Sequence, residues 1–314
     1  MTTFKWFASP ALAWIALTAT IAPTLLAESR CPGNVASLPF RLVNRYQIVV
    51  AVSINHSGPY DFLLDTGTQI TMVDPSVAAD LHLNTTGAAV VRSVGFRESA
   101  SFTQLDLLEA GSHAIANQKV LVYGLLNLRS VDPHIRGILG EDFLEQFDML
   151  IDYAHRLLCF DNSAVMRAEV KGPHIALVTP AQTADGAPLP KLLIIAARLS
   201  GETRPVRLML DSGANIPYLY NTSQHLVPQH MASTSFGGAS LVGSGADGDQ
   251  HVFSALPPQE VKIGSLELPN VTFLTLAYAR KDSHATGFDG LLTTDLFRRV
   301  FVSHADHFVV LEPR

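Results

Sequence analysis

Two short carboxylate motifs recur in one frame. Phe62-Leu63-Leu64-Asp65-Thr66-Gly67 is followed, 146 residues later, by Leu208-Met209-Leu210-Asp211-Ser212-Gly213. Each is an apolar run that passes directly into Asp, a small hydroxyl residue and Gly. Such a run reads as a buried strand, and the small polar residues after it read as a tight turn. The Asp therefore stands at the end of a buried strand. Two halves of this kind, facing each other, bring two carboxylates to one point, which is the geometry needed to hold and activate a single water.

The frame around the motifs repeats as well. Tyr46 to Val52 is a strand-like run, followed by the turn Asn55-His56-Ser57-Gly58-Pro59 and the strand that ends at Asp65. Leu192 to Ala197, the turn Ser200 to Pro205 and the strand ending at Asp211 repeat that hairpin, and Tyr46 and Leu192 each stand 19 residues before their Asp. Ile70 and Ile216 both lie five residues after it. Asp74-Pro75 reads as an N-cap with Pro at the first helical position, opening a short helix through Leu81. Gly111-Ser112, Ile115 and Asn117 align without a gap with Gly264-Ser265, Leu268 and Asn270, and Gly137 to Leu144 aligns with Gly290 to Phe297. Each half closes with a strand pair, Met149 to Phe160 and Phe301 to Leu311. The organisation predicted is a segment 1–27 preceding the fold, a first lobe over 38–163, a linker over 164–189 rich in Pro and Gly, and a second lobe over 190–314.

The chain has 314 residues, 47% apolar and only 16% charged, with 21 Gly and 18 Pro. That composition supports two packed, strand-rich lobes and excludes disorder. A net charge of −6 without long runs of one sign excludes a nucleic-acid partner. Lys5 followed by the uncharged stretch Trp6 to Leu26 reads as an export signal, and its length also suits an uncleaved membrane anchor. The expected location is periplasmic or extracellular, with membrane attachment only if that segment is retained. Cys31 and Cys159 are the only cysteines. Two readings stand: one disulfide in an exported chain, or two separate thiols with Cys159 as a small buried hydrophobe.

On Asp65-Thr66-Gly67, Asp211-Ser212-Gly213 and the downstream Gly137-Ile138-Leu139-Gly140, the chain resembles the two-lobed aspartic peptidases, most closely the short bacterial pepsin/retropepsin-like type. The resemblance covers nearly all of the chain beyond the leader. It implies an all-β fold of two homologous barrel-like lobes with a cleft between them. In that family the later Gly-containing segment packs beside the catalytic loop. The second copy departs from the pattern, since Leu291-Leu292-Thr293 has Thr where Gly belongs. The resemblance implies that Asp65 and Asp211 are the catalytic dyad, with Thr66, Gly67, Thr68, Ser212 and Gly213 supporting it. Two adjoining carboxylates cannot both ionise cheaply, so one keeps a proton and the pair holds an acid and a base together. Thr68 follows the first motif and Ala214 the second, so only the first lobe offers a hydroxyl donor there. That asymmetry biases Asp65 toward the ionised form and Asp211 toward holding the shared proton. No metal, cofactor or covalent intermediate is required.

Val90 to Glu98 falls in the interval of the substrate-covering flap, with Gly95 and Phe96 as the candidate substrate contacts; the Tyr of pepsin itself is absent there. Leu241 to Phe253 is the matching interval of the second lobe. Gly243-Ser244-Gly245-Ala246-Asp247-Gly248 fits the dinucleotide pattern G-x-G-x-x-G, but Pro257-Pro258 follows and no helix opens, so it reads as a hairpin tip. His304-Ala305-Asp306-His307 reads as a turn between the last two strands, without a third metal ligand. The functional expectation is an aspartic endopeptidase acting as a monomer on an extended peptide or protein, with apolar side chains favoured on both sides of the scissile bond. The alternative is a catalytically silent peptidase-like protein that binds peptides in the same cleft.

Overall fold

The computed structural model describes residues 30–93, 96–178, 192–220, 241–244, 250–276 and 287–314. The predicted export segment lies outside these residues, as do parts of the linker interval and of both flap intervals. No helix among the described residues is long and apolar enough to cross a membrane.

The fold is all-β. Each predicted hairpin forms where alternation and turn chemistry place it. Gln47–Ile54 pairs antiparallel with Ser57–Leu64, and Ile194–Leu199 with Val206–Asp211. The first turn is tighter than the sequence suggests. Only Asn55 and His56 leave the ladder, with φ of 49° and 65°, and the strand resumes at Ser57. Two left-handed residues in succession match the right-handed twist of the flanking strands. The short helix is Pro75–Asp80, opened by the Asp74 side chain accepting from the Ser76 amide at 3.0 Å.

Among the described residues the strands form three sheets. One, of eight strands, comes wholly from the first half of the chain and carries Ser57–Leu64 next to Ile135–Leu139. A second, of nine, comes wholly from the second half and carries Val206–Asp211 next to Gly290–Thr293. In both, the Asp-bearing strand runs parallel to the later Gly-bearing one. The aligned turn and strand positions also agree: Gly111 and Gly264 have φ of 61° and 59°, and Asn117 and Asn270 have 55° and 59°. The third sheet joins the halves. Asp148–Asp152 pairs with Phe297–Ser303, setting Leu150 opposite Phe301, and Leu157–Asp161 and Phe308–Pro313 flank them. The interval read as a linker is not featureless, because it contains the helix Val165–Glu169 and the strand Ile175–Ala176, which extends this joining sheet.

The largest apolar cluster runs from Phe62, Leu64 and Phe143 to Leu208, Leu210 and Phe297, so the two Asp-bearing strands grow from one packed interior. Cys31 and Cys159 form a disulfide, which decides between the two readings of the cysteines. It ties the start of the described chain to the strand Leu157–Asp161 of the joining sheet.

Candidate active site

The strand Ser57–Leu64 stops at Asp65 because the chain must turn there. The Asp65 amide still donates to Leu139 O at 3.0 Å, which is the last ladder bond, and Thr68 then donates back to Asp65 O. Val206–Asp211 ends in the same way, with Asp211 opposite Thr293. The two loops meet head to head.

The hydroxyl residues lock them reciprocally. The Thr66 amide donates to Ser212 Oγ at 3.1 Å, and the Ser212 amide donates to Thr66 Oγ1 at 3.0 Å. Thr66 Oγ1 donates to Leu210 O, and Ser212 Oγ to Leu64 O, each at 2.8 Å. Both side chains are buried. Each hydroxyl therefore donates once and accepts once, and two buried carbonyls and two buried amides that terminate the strands find their partners in the opposite half.

The glycines are required by proximity. A Cβ on Gly67 would lie 2.6 Å from Cγ of Asp211, and one on Gly213 would lie 2.5 Å from Cγ of Asp65. Each loop thus lies directly under the other loop's carboxylate. The Gly67 amide donates to Asp65 Oδ1 and the Gly213 amide to Asp211 Oδ1, both at 2.8 Å. The two carboxyl groups are in hydrogen-bonding contact with each other.

The predicted asymmetry between the loops is present. Thr68 Oγ1 donates to Asp65 Oδ2 at 2.7 Å, whereas Ala214 offers Asp211 only its backbone amide, at 2.9 Å. Burial raises the pKa of Asp65, against the Thr68 hydroxyl and the Gly67 amide, which stabilise its charged form. Burial and then the neighbouring Asp65 charge push Asp211 up to about 8. Desolvation and a like charge both favour a neutral Asp211, so the pair carries one shared proton over a wide pH range.

The later Gly-bearing segments brace the loops. A Cβ on Gly140 would sit 2.9 Å from Thr68 O and 3.0 Å from the backbone at Ile70 and Thr71. The Glu141 amide donates to Thr68 O and the Asp142 amide to Gln69 O, while Asp142 Oδ1 accepts from both the amide and the hydroxyl of Thr71. In the second lobe Thr293 occupies the place of Gly140. The strand Gly290–Thr293 keeps its parallel pairing, and the buried Thr293 Oγ1 has no partner among the described residues.

Of the flap, Thr85–Ser93 and Phe96–Ala110 form the expected hairpin, with Val91 opposite Glu98. Gly95 lies outside the described residues, and Phe96 is described only as a strand position. In the second lobe Leu241–Ser244 pairs with Gln250–Ala255, strands where a dinucleotide site would need a helix; the residues between them lie outside the described set. His304 is not free for a metal, because Nδ1 faces Phe147 O at 2.6 Å and Nε2 faces Glu141 Oε2 at 3.1 Å.

The likeness to known proteins agrees with this geometry. Residues 50–143 match the family model described as aspartyl protease. That match spans the first Asp-Thr-Gly motif and the Gly137 to Gly140 segment behind it. A crystal structure of aspartic proteinase from Irpex lacteus has the same fold, with a TM-score of 0.51 at 13% identity, over 88% of this chain and 97% of that one. Curated protein sequences include no match.

Two apolar walls flank the dyad of this aspartic-peptidase fold, and sequence reading missed both. The first gathers Leu63, Ile70, Met72, Leu121, Tyr123 and Ile138. The second gathers Met209, Ala214, Tyr218, Tyr220, Phe253 and Leu291. Met72 pairs with Ile138, and Tyr218 with Leu291, so the walls are structural counterparts. Burial raises the Tyr220 hydroxyl pKa, and Asp211 lies near enough to add to that shift. Gln47 was also missed. It is 8% exposed, sits at the start of a strand that otherwise reads as apolar, and reaches toward Gly213 O across the lobes.

Proposed function

We propose that the chain is an aspartic endopeptidase. The observation that carries this reading is the reciprocal lock that presses Asp65 and Asp211 together in a buried site where one proton serves two carboxylates. Asp65, held charged by Thr68 and Gly67, takes a proton from a water as its oxygen adds to the peptide carbonyl carbon. Asp211 gives its proton to the carbonyl oxygen, and the product is a neutral diol. Asp65 then passes its proton to the amide nitrogen while Asp211 takes one from a diol hydroxyl, the C–N bond breaks, and a carboxylic acid and an amine leave. Each carboxyl ends a turnover able to begin the next.

Both carboxylates come from one chain, which supports a monomer as the active unit. The disulfide supports an oxidising compartment outside the cytosol, in line with the leader-like N-terminus. The test is digestion of a denatured-protein and peptide library by purified protein across pH. Asp65→Asn and Asp211→Asn should each lower kcat/KM by at least about 10³-fold, because neither carboxylate alone supplies both acid and base. Turnover that persists in a folded single variant, or none in the wild type at any pH, sinks the reading. The second outcome, with peptides still bound, would leave a silent peptide-binding protein.

A further inference from the structure

The two walls beside the dyad differ in one chemical respect. The second is aromatic, built on Tyr218, Tyr220 and Phe253. The first is aliphatic near the dyad, but a carboxylate intrudes on it. Glu98 stands on Phe96–Ala110 opposite Val91, and strand alternation puts it on the same face as Ala100 and Phe102. Ala100 belongs to the cluster that contains Leu63 and Ile138, with Val91, Phe102 and Ile70 packed against it. Leu63 lies two residues before Asp65, and Ile70 five after. The flap hairpin therefore sets Glu98 beside the apolar cluster that adjoins the first Asp-bearing loop.

Glu98 is held there. Tyr123, itself 5% exposed, donates its hydroxyl to Glu98 Oε2 at 2.5 Å. Among the described residues no Lys or Arg pairs with it, and Lys119, on the same sheet face as Phe102, lies 3.9 Å over the Phe102 ring. A carboxylate fixed beside an apolar wall loses hydration when a peptide covers it, and that loss is offset only if the incoming group carries a donor or a positive charge.

From this geometry we infer that the first-lobe pocket takes a substrate side chain with an aliphatic stem and a cationic head, Lys or Arg, whose charge ends on Glu98. The inference rests on the peptidase reading and names its substrate class, replacing an apolar preference on both sides of the bond by basic on one side and apolar or aromatic on the other. The stem packs on Ile70 and Val91, the half-buried members of that cluster, and an uncharged side chain of the same length leaves Glu98 covered without a new partner. Discrimination therefore comes from penalising the wrong side chain as much as from rewarding the right one.

The experiment uses pairs of peptides that differ only in Lys or norleucine, placed in turn at each position around the scissile bond. Lys should be favoured in kcat/KM by about tenfold at one position, a factor within reach of one partly buried charged hydrogen bond. Glu98→Gln should bring that ratio to within about twofold of unity, and Glu98→Lys should reverse the preference toward Glu, so the reasoning does not hang on one variant. The same peptide pairs titrated onto Asp211→Asn protein read the preference without turnover. No Lys preference at any position in the wild type, or a preference unchanged in Glu98→Gln, overturns the assignment. Turnover without Lys preference removes the basic pocket and leaves the peptidase reading. Lys preference in binding without turnover of any peptide does the reverse, and neither binding nor turnover removes both.

Discussion

Replacing Asp211 by Asn should make the protein more stable at neutral and alkaline pH, although it removes an acid from the candidate active site. Asn keeps the shape, and its Oδ1 can still accept from the Gly213 and Ala214 amides. What it cannot do is ionise. The folded structure pushes Asp211 from an ordinary 3.8 up to about 8, first through burial and then through the Asp65 charge. A carboxyl whose folded pKa is raised binds a proton that the unfolded chain has already released. Its contribution to stability is therefore complete below pH 4, falls between pH 4 and 8, and is lost once pH passes the folded value. Roughly 4 pH units at about 1.4 kcal/mol each set a ceiling near 6 kcal/mol. Proton sharing with Asp65 and water in the cleft reduce this, and about 2–3 kcal/mol is the expected difference at pH 8. For a chain of this size that corresponds to roughly 4–8 °C in Tm. Thermal unfolding of wild type and Asp211→Asn, at matched ionic strength from pH 4 to 9, is the assay. The two should melt together near pH 4 and separate steadily, with the variant the more stable, up to pH 8. A Tm difference that is independent of pH, or a wild type that melts higher throughout, would refute the account of a compressed carboxylate pair. The readout needs no substrate, so it tests the electrostatics apart from the activity.

Three further outcomes follow from the same geometry. Thr68→Ala removes the hydroxyl that donates to Asp65, so the acid limb of the kcat/KM profile should rise by about 0.5–1 pH unit, while Ala214→Ser should lower the alkaline limb; limbs that stay in place in folded variants exclude the hydroxyl as the source of asymmetry. Thr66→Val keeps the volume but strands the Ser212 amide and Leu210 O in a dry interface, and should cost about 2–4 kcal/mol in denaturant unfolding, against under 1 for a change at exposed Ser130. Gly290→Ala drives a methyl to 2.2 Å from Tyr218 O, a backbone atom that cannot rotate away, and should lower stability by more than about 2 kcal/mol; a variant that melts like the wild type would show that the second-lobe strand has room to shift.

Much of this architecture is written in local sequence. Apolar runs that end in Asp-Thr-Gly and Asp-Ser-Gly, the Asp74-Pro75 helix start, and the aligned Gly111/Gly264 and Asn117/Asn270 positions are all determined by short-range chemistry: strand alternation, capping, and the tolerance of Gly and Asn for positive φ. Short-range chemistry repeats when a unit repeats, so two copies in one chain made the dyad and its supporting hydroxyls legible together. The walls of the cleft were not legible. Tyr123 and Glu98 lie 25 residues apart, and Tyr218 and Phe253 are joined only by the fold, so no spacing rule brings them together. Nor does a motif state how far Asp211 is from water or from Asp65, and those two distances set its proton affinity. The sequence alone determined which groups can do chemistry, because residue type and local backbone are encoded residue by residue. Only the tertiary structure decided how deeply each of them is buried and which others it meets, because burial and long-range contact are properties of the packed whole.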